Sequence, residues 1–202
     1  MSEGARFPSG GEDVAAAAEW VKSKYGAGNG SRDVFFMGNS AGGVHVATFI
    51  LEPRPAALRA SISPGIVGGV ILRGYILLAV PFDFRNAAAD RAATLKAYFG
   101  DKVREDCPLG LLQSFKPQEG SLPKILVLWE TLDPEDEIVQ PGLNFIEEWE
   151  GREGLGDLDG AVLEGHNHIS PPMALGTGLQ REEEWGVMVG KWIHDTRRQT
   201  GS

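Results

Sequence analysis

The sequence predicts an α/β fold with a mainly parallel sheet flanked by helices. Short, unbroken apolar runs recur at residues 34–37 (VFFM), 75–80 (YILLAV) and 125–129 (ILVLW). They are too short for helices and lack the in-out alternation of a strand with one wet face, so they read as strands covered on both sides. Stretches with helical patterning stand between and after them, and this alternation is the signature of parallel strands joined by crossover helices. With 202 residues, 42% of them hydrophobic, the chain can fill one sizeable core but not two enzyme-sized ones, so residues 1–202 are read as a single domain.

The elements follow in order. Residues 12–24 (EDVAAAAEWVKSK) form a helix with acids in the first turn, lysines in the last, and Val14, Ala17, Ala18 and Val21 on one face. Gly26, Gly28 and Gly30 end it, and VFFM is the first strand. A second helix runs over 41–51 until Pro53 and Pro55 stop it. YILLAV is the second strand, followed by a polar and helical stretch to Gly100. ILVLW is the third, followed after Pro141 by a helix with Leu143, Ile146 and Trp149 on one side. Residues 160–163 make a short fourth strand. The last helix, over 181–196, sets Trp185, Met188, Val189, Trp192 and Ile193 at core-facing spacing. The ends, residues 1–5 and 197–202, are expected to be mobile.

Composition narrows the function classes. A formal charge of −9 repels nucleic acid and anionic membrane surfaces alike. No apolar run reaches the ~18 residues of a membrane span. The longest, over 62–84, is broken by Gly65, Gly68, Gly69, Arg73, Gly74 and Pro81. The start, MSEGARFPSGGED, has no apolar leader, and the single cysteine, Cys107, admits no internal disulfide, so a cytoplasmic location is expected.

The chemistry gathers around GNSAGG at residues 38–43. In G-x-S-x-G the glycines let a strand turn abruptly into a helix, which lifts the serine hydroxyl to the carboxyl end of the sheet. VFFM supplies the strand and AGGVHVATFIL the helix, so Ser40 is a candidate nucleophile. The amide of Ala41, at the start of that helix, is placed to meet a developing oxyanion. A serine nucleophile needs a base, and the base needs an orienting acid. Of the four histidines, His45 lies on the helix after the serine and His194 on the terminal helix, so both read as structural. His166 and His168, in EGHNHIS, follow the last short strand, where a loop can fold back over the serine. The acids of ETLDPEDE follow the strand ILVLW, at the end of the sheet where functional groups of parallel sheets gather. No metal or organic cofactor is implied.

Ser, Asp and His in this order and these contexts resemble the α/β-hydrolase fold. GNSAGG is similar to the GDSAGG elbow of the hormone-sensitive-lipase-like serine esterases, and ETLDPEDE resembles their acid segment. The resemblance implies that the acid of the Asp-Pro pair, Asp133, orients the base, with Asp136 the alternative. It also implies that the histidine three residues after a glycine, His168 after Gly165, is the base, with His166 the alternative. RFPSGGEDVAAAAEWV is similar to the family's approach to the helix before the elbow, and CPLGLL to its Ser-Pro-Leu stretch, which makes Cys107 a packing residue.

The chain departs from that family in one respect. The His-Gly-Gly motif that supplies further oxyanion donors has no counterpart in this sequence, and Ser9, Gly10 and Gly11 are a poor substitute. The resemblance therefore implies an N-terminally shortened α/β-hydrolase fold in which VFFM becomes a sheet edge. Loss of one oxyanion donor typically costs about 10²- to 10³-fold in rate. An apolar edge tends to pair with another chain, which offers a route to a homo-oligomer. The leading expectation is a carboxylesterase-like serine hydrolase acting on a small ester through an acyl-enzyme on Ser40. The alternatives are a homologue that binds, isomerises or cyclises a small molecule, and an oligomerising interaction module.

Overall fold

A computed structural model describes residues 4–27, 30–63, 69–117 and 122–199. Four parallel strands form one sheet in the order β1 (Ser31–Asn39), β2 (Gly69–Leu78), β3 (Lys124–Glu130) and β4 (Leu158–Leu163). Helix α1 (Ser9–Tyr25) precedes β1, and α2 (Ala41–Leu51) and α3 (Ala56–Ser61) lie between β1 and β2. A 3₁₀ turn (Ala89–Arg91), α4 (Ala92–Phe99), α5 (Val103–Asp106) and α6 (Pro108–Ser114) lead to β3. A π-helical turn (Glu135–Val139) and α7 (Gln140–Glu150) lead to β4, and α8 (Ser170–Ala174) and α9 (Gln180–Gln199) follow it.

The strands are apolar without alternation because helices cover both faces. Tyr75 and Leu77 of β2 and Ile125 and Val127 of β3 join the larger core with Val46, Phe49 and Ile50 of α2. Their neighbours Ile76, Leu78, Leu126 and Leu128 point the other way, into a second cluster with Trp185 and Val189 of α9. Each strand thus stabilises two layers, which fixes its register against a one-residue slip.

Strand β2 begins earlier than the run YILLAV, which Arg73 and Gly74 precede. A register shift between Val34 and Phe35 of β1, opposite Leu72 and Gly74, accommodates these two residues. The Arg73 guanidinium meets Asp33 Oδ1 at 2.7 Å, and Asp33 Oδ2 accepts from Arg197 of α9 at 2.8 Å. A Cβ on Gly74 would stand 2.7 Å from Trp192 of α9. A charged pair and a glycine therefore let α9 close on β2 at the point where Arg73 and Gly74 break its apolar run. Arg197 belongs to that helix rather than to a mobile end, while residues 1–3 and 200–202 lie outside the described residues.

VFFM is packed on both faces, as its composition suggests, but it lies at the edge of the sheet among the described residues. Phe36 packs on Phe49 with ring centroids 5.7 Å apart, and Phe35 packs on Trp192 at 5.9 Å. Among the described residues strand β1 has β2 on one side only, and Met37 is 44% exposed. Cys107 is buried in the larger core, and burial pushes its thiol pKa up to about 11. It also caps α6, where Sγ accepts from the Gly110 amide. Among the described residues no helix is long and apolar enough to cross a membrane.

Candidate active site

Ser40 sits between β1 and α2 with φ 52° and ψ −123°, in the left-handed half of φ that side chains rarely adopt. The turn is held because the Ser40 amide donates to Leu78 O of β2 at 2.9 Å and its carbonyl accepts from Gly43 and Val44. Close packing decides which glycines the turn needs. A Cβ on Gly38 would stand 2.5 Å from Gly42 O, and one on Gly43 2.1 Å from a methyl of Val80, whereas one on Gly42 would meet nothing. Gly43, outside the five-residue motif, is thus the more tightly enclosed of the two glycines after the serine.

The amides of Ala41 and Gly42 open α2, where helix geometry leaves the first N–H groups without an intrahelical acceptor, so the turn places backbone donors beside Ser40. Ser9, Gly10 and Gly11 add none. Their amides donate to Arg6 O, to the Tyr98 hydroxyl and to Pro8 O. The two glycines instead let α1 approach α2: a Cβ on Gly10 would stand 2.0 Å from His45 Nδ1 and one on Gly11 2.6 Å from Thr48. His45 lies within that helix contact, where burial lowers its pKa, and His194 is exposed on α9.

The loops after β3 and β4 are stitched to each other before either reaches Ser40. Leu132 N donates to His166 O at 3.0 Å, Thr131 N to Leu163 O at 3.2 Å, and Gly165 N to the Thr131 hydroxyl at 2.8 Å. Gly165 has φ 75°, which suits a glycine at this bend. Asn167 then shapes the next turn, its side-chain oxygen accepting from Ile169 N and Ser170 N, both at 3.1 Å. Between them His168 points inward. Its Nε2 stands 2.7 Å from Ser40 Oγ and its Nδ1 3.2 Å from Asp133 Oδ1. Asp133 is buried, and its other oxygen accepts from Glu130 N at 3.0 Å.

The alternatives fall elsewhere. His166 is buried and turns Nδ1 to the Ser170 hydroxyl at 3.0 Å, away from the serine. Asp136 is exposed on the π-helical turn. Sequence reasoning passed over Thr131 and Asn167, and it took Glu130 only as the glutamate of the acid segment, without a role of its own. Only Asn167 carried a local signal, since an asparagine three residues before a serine favours a side-chain-capped turn.

Ligand atoms of Glu130, Asp133 and His168 all lie within 4.8 Å of one another, close enough among the described residues to surround a metal ion. Both imidazole nitrogens are already committed, one to Asp133 and one to Ser40, so the donor set fits a hydrogen-bonded relay better than a metal site. Such a relay can take a proton from a hydroxyl and return it.

No family model matches the chain, and no curated protein matches it in sequence. Solved structures do match in fold. Inhibited esterase B from Lactobacillus rhamnosis superposes with a TM-score of 0.70 at 14% identity, over 98% of this chain and 65% of that one. The carboxylesterase Cest-2923 from Lactobacillus plantarum gives 0.67 at 14%, over 96% of this chain and 70% of that one. Dipeptidyl peptidase 4 from Porphyromonas gingivalis gives 0.59 at 14%, over 92% of this chain and 22% of that one. The chain thus spans about two thirds of the esterases and about a fifth of the peptidase. The fold is that of the α/β-hydrolases, with esterases among its structural neighbours.

Proposed function

We propose that the chain is a carboxylesterase-like serine hydrolase acting on small esters, within the hormone-sensitive-lipase-like group that its motifs resemble. In this reading Ser40 Oγ attacks the ester carbonyl carbon while His168 Nε2 takes the hydroxyl proton. Asp133 holds the imidazole through Nδ1 and stabilises the imidazolium. The carbonyl oxygen becomes an oxyanion facing the Ala41 amide. Collapse of the tetrahedral adduct expels the alcohol, which leaves with the proton from His168, and an acyl-enzyme remains on Ser40. Water then attacks the acyl carbon with His168 again as base, releasing the acid and restoring the serine.

The observation that carries the reading is the unbroken Ser40–His168–Asp133 hydrogen-bond chain, at 2.7 and 3.2 Å, built on a serine with positive φ at a strand-to-helix turn. The esterase neighbours support the same chemistry by analogy of fold. The lone, buried Cys107 fits a reducing, cytoplasmic setting. The unpaired side of β1 is the surface through which a second copy would associate.

The test is hydrolysis of a short-chain p-nitrophenyl ester by folded wild type and by Ser40→Ala, with organophosphonate labelling in parallel. Turnover and labelling that both vanish with Ser40 are expected. Equal rates in the two proteins would overturn the assignment.

A further inference from the structure

Strand β3 ends on a side chain that the proposed chemistry leaves unused. Glu130 is fully buried, and neither of its carboxyl oxygens has a hydrogen-bond partner among the described residues. A buried carboxylate without a donor is unstable as an anion, because burial removes water and nothing replaces it. Asp133 stands in contrast. One of its oxygens accepts from the Glu130 amide and the other faces His168 Nδ1, so its negative charge has two donors. The two carboxyls and the imidazole bring ligand atoms within 4.8 Å of one another. Like charges at such a separation in a buried site disfavour double ionisation, and the proton stays where the anion is least supported.

We propose that Glu130 is a positioning residue that retains its proton, so that the Glu130–Asp133 pair carries a single negative charge, placed on Asp133 against His168. The inference rests on the reading of Ser40, His168 and Asp133 as the hydrolytic machinery. The titration supports it: burial first, and the Asp133 carboxyl second, push the Glu130 pKa up to about 9. Among the described residues no cation pairs with it. Strand alternation sets Glu130 on the face of Leu126 and Leu128, in the layer shared with Leu78 of β2, Ala79 just beyond it, Leu163 of β4 and Trp185 of α9. Trp185 adds an indole N–H that itself lacks an acceptor, but no charge. The titratable groups nearby are Asp133 on its own loop and His168 and His166 on the loop after β4, and His166 is turned to Ser170.

A neutral Glu130 leaves His168 facing one anion. Ionised, it would set a second negative charge behind the imidazole and oppose the oxyanion forming at Ser40, so turnover falls as Glu130 loses its proton.

Difference infrared spectroscopy of wild type against Glu130→Gln at about pH 7 reads the proton directly. A protonated-carboxyl band is expected in wild type, absent from the variant, and titrating away in wild type near pH 9. Alongside it, the fall in kcat/KM of wild type above pH 8 should be flattened in both Glu130→Gln and Glu130→Ala, since each removes the titrating carboxyl, with Glu130→Gln keeping more of the wild-type rate at pH 7 because the amide fills the same space. Absence of the band from wild type at pH 7 would overturn the proposal even if the variants fail to fold, and so would an unchanged alkaline limb in Glu130→Gln. If the protein turns over no ester while the band is present, the hydrolase reading falls and the protonation of Glu130 stands.

Discussion

His168 Nε2 lies 2.7 Å from Ser40 Oγ although 128 residues of chain separate them. The closure depends on the loop after β4 being fastened to the loop after β3, which carries Asp133. Asp133→Asn should therefore leave the fold intact and lower kcat by on the order of 10⁴-fold, because the amide favours the wrong imidazole tautomer and cannot balance the imidazolium. His166→Gln should cost far less, since His166 touches Ser170 and not the serine. Steady-state rates on one ester, with circular dichroism to verify folding, check both, and equal losses would contradict the assignment of roles.

The nucleophile turn makes a prediction about stability that the motif alone reverses. Gly42 completes G-x-S-x-G, yet its added Cβ would meet open space, while that of Gly43 would stand 2.1 Å from Val80. Gly43→Ala should destabilise by about 1–3 kcal/mol through overpacking. Gly42→Ala should change stability little and act, if at all, on the oxyanion side of the turn. Urea unfolding of both variants measures the difference, and a larger loss at Gly42 would contradict the packing.

Much of this was legible in the residues, for identifiable reasons. Sheet-buried runs such as YILLAV and ILVLW announce themselves because both faces are apolar, and the strand-turn-helix around Ser40 is local. Choosing Asp133 over Asp136, and His168 over His166, needed a family resemblance, because loop geometry is set by long-range stitching such as Leu132 to His166. The start of β2 was hidden because Arg73 and Gly74 look like a break until Asp33 and Trp192 are placed against them. The edge position of β1 could not be read from VFFM itself, since an edge is a property of the neighbours and not of the strand, and it was the family resemblance that implied it. The burial of Glu130 was likewise invisible within a segment of five acids.

The open side of β1 has a measurable consequence. Nine residues pair with β2 on one side, and among the described residues no strand pairs on the other. Backbone groups along such an edge favour pairing with a second copy. Light scattering coupled to size exclusion should give a dimer, and a proline in place of the exposed Met37 should shift it toward monomer. A wild type that remains monomeric across a wide concentration range would remove this association.

Glu130 also ties stability to pH, with a sign opposite to that of most carboxylates. Its ordinary carboxyl pKa near 4.5 rises to about 9 in the fold. Between these values the folded chain keeps a proton that the unfolded chain has released, so the unfolded state binds fewer protons and stability falls as pH rises. The loss begins near pH 4.5 and levels off above about pH 9, where both states are ionised. Glu130→Gln has no proton to hold. Relative to wild type it should gain stability steadily from about pH 5 to pH 9 and gain nothing further beyond. Urea midpoints for the two proteins at several pH values isolate this group, since the other titrations are common to both and cancel in the difference. A difference independent of pH would mean that Glu130 is ionised in the folded protein, and the charge on the Asp133 loop would then be two rather than one.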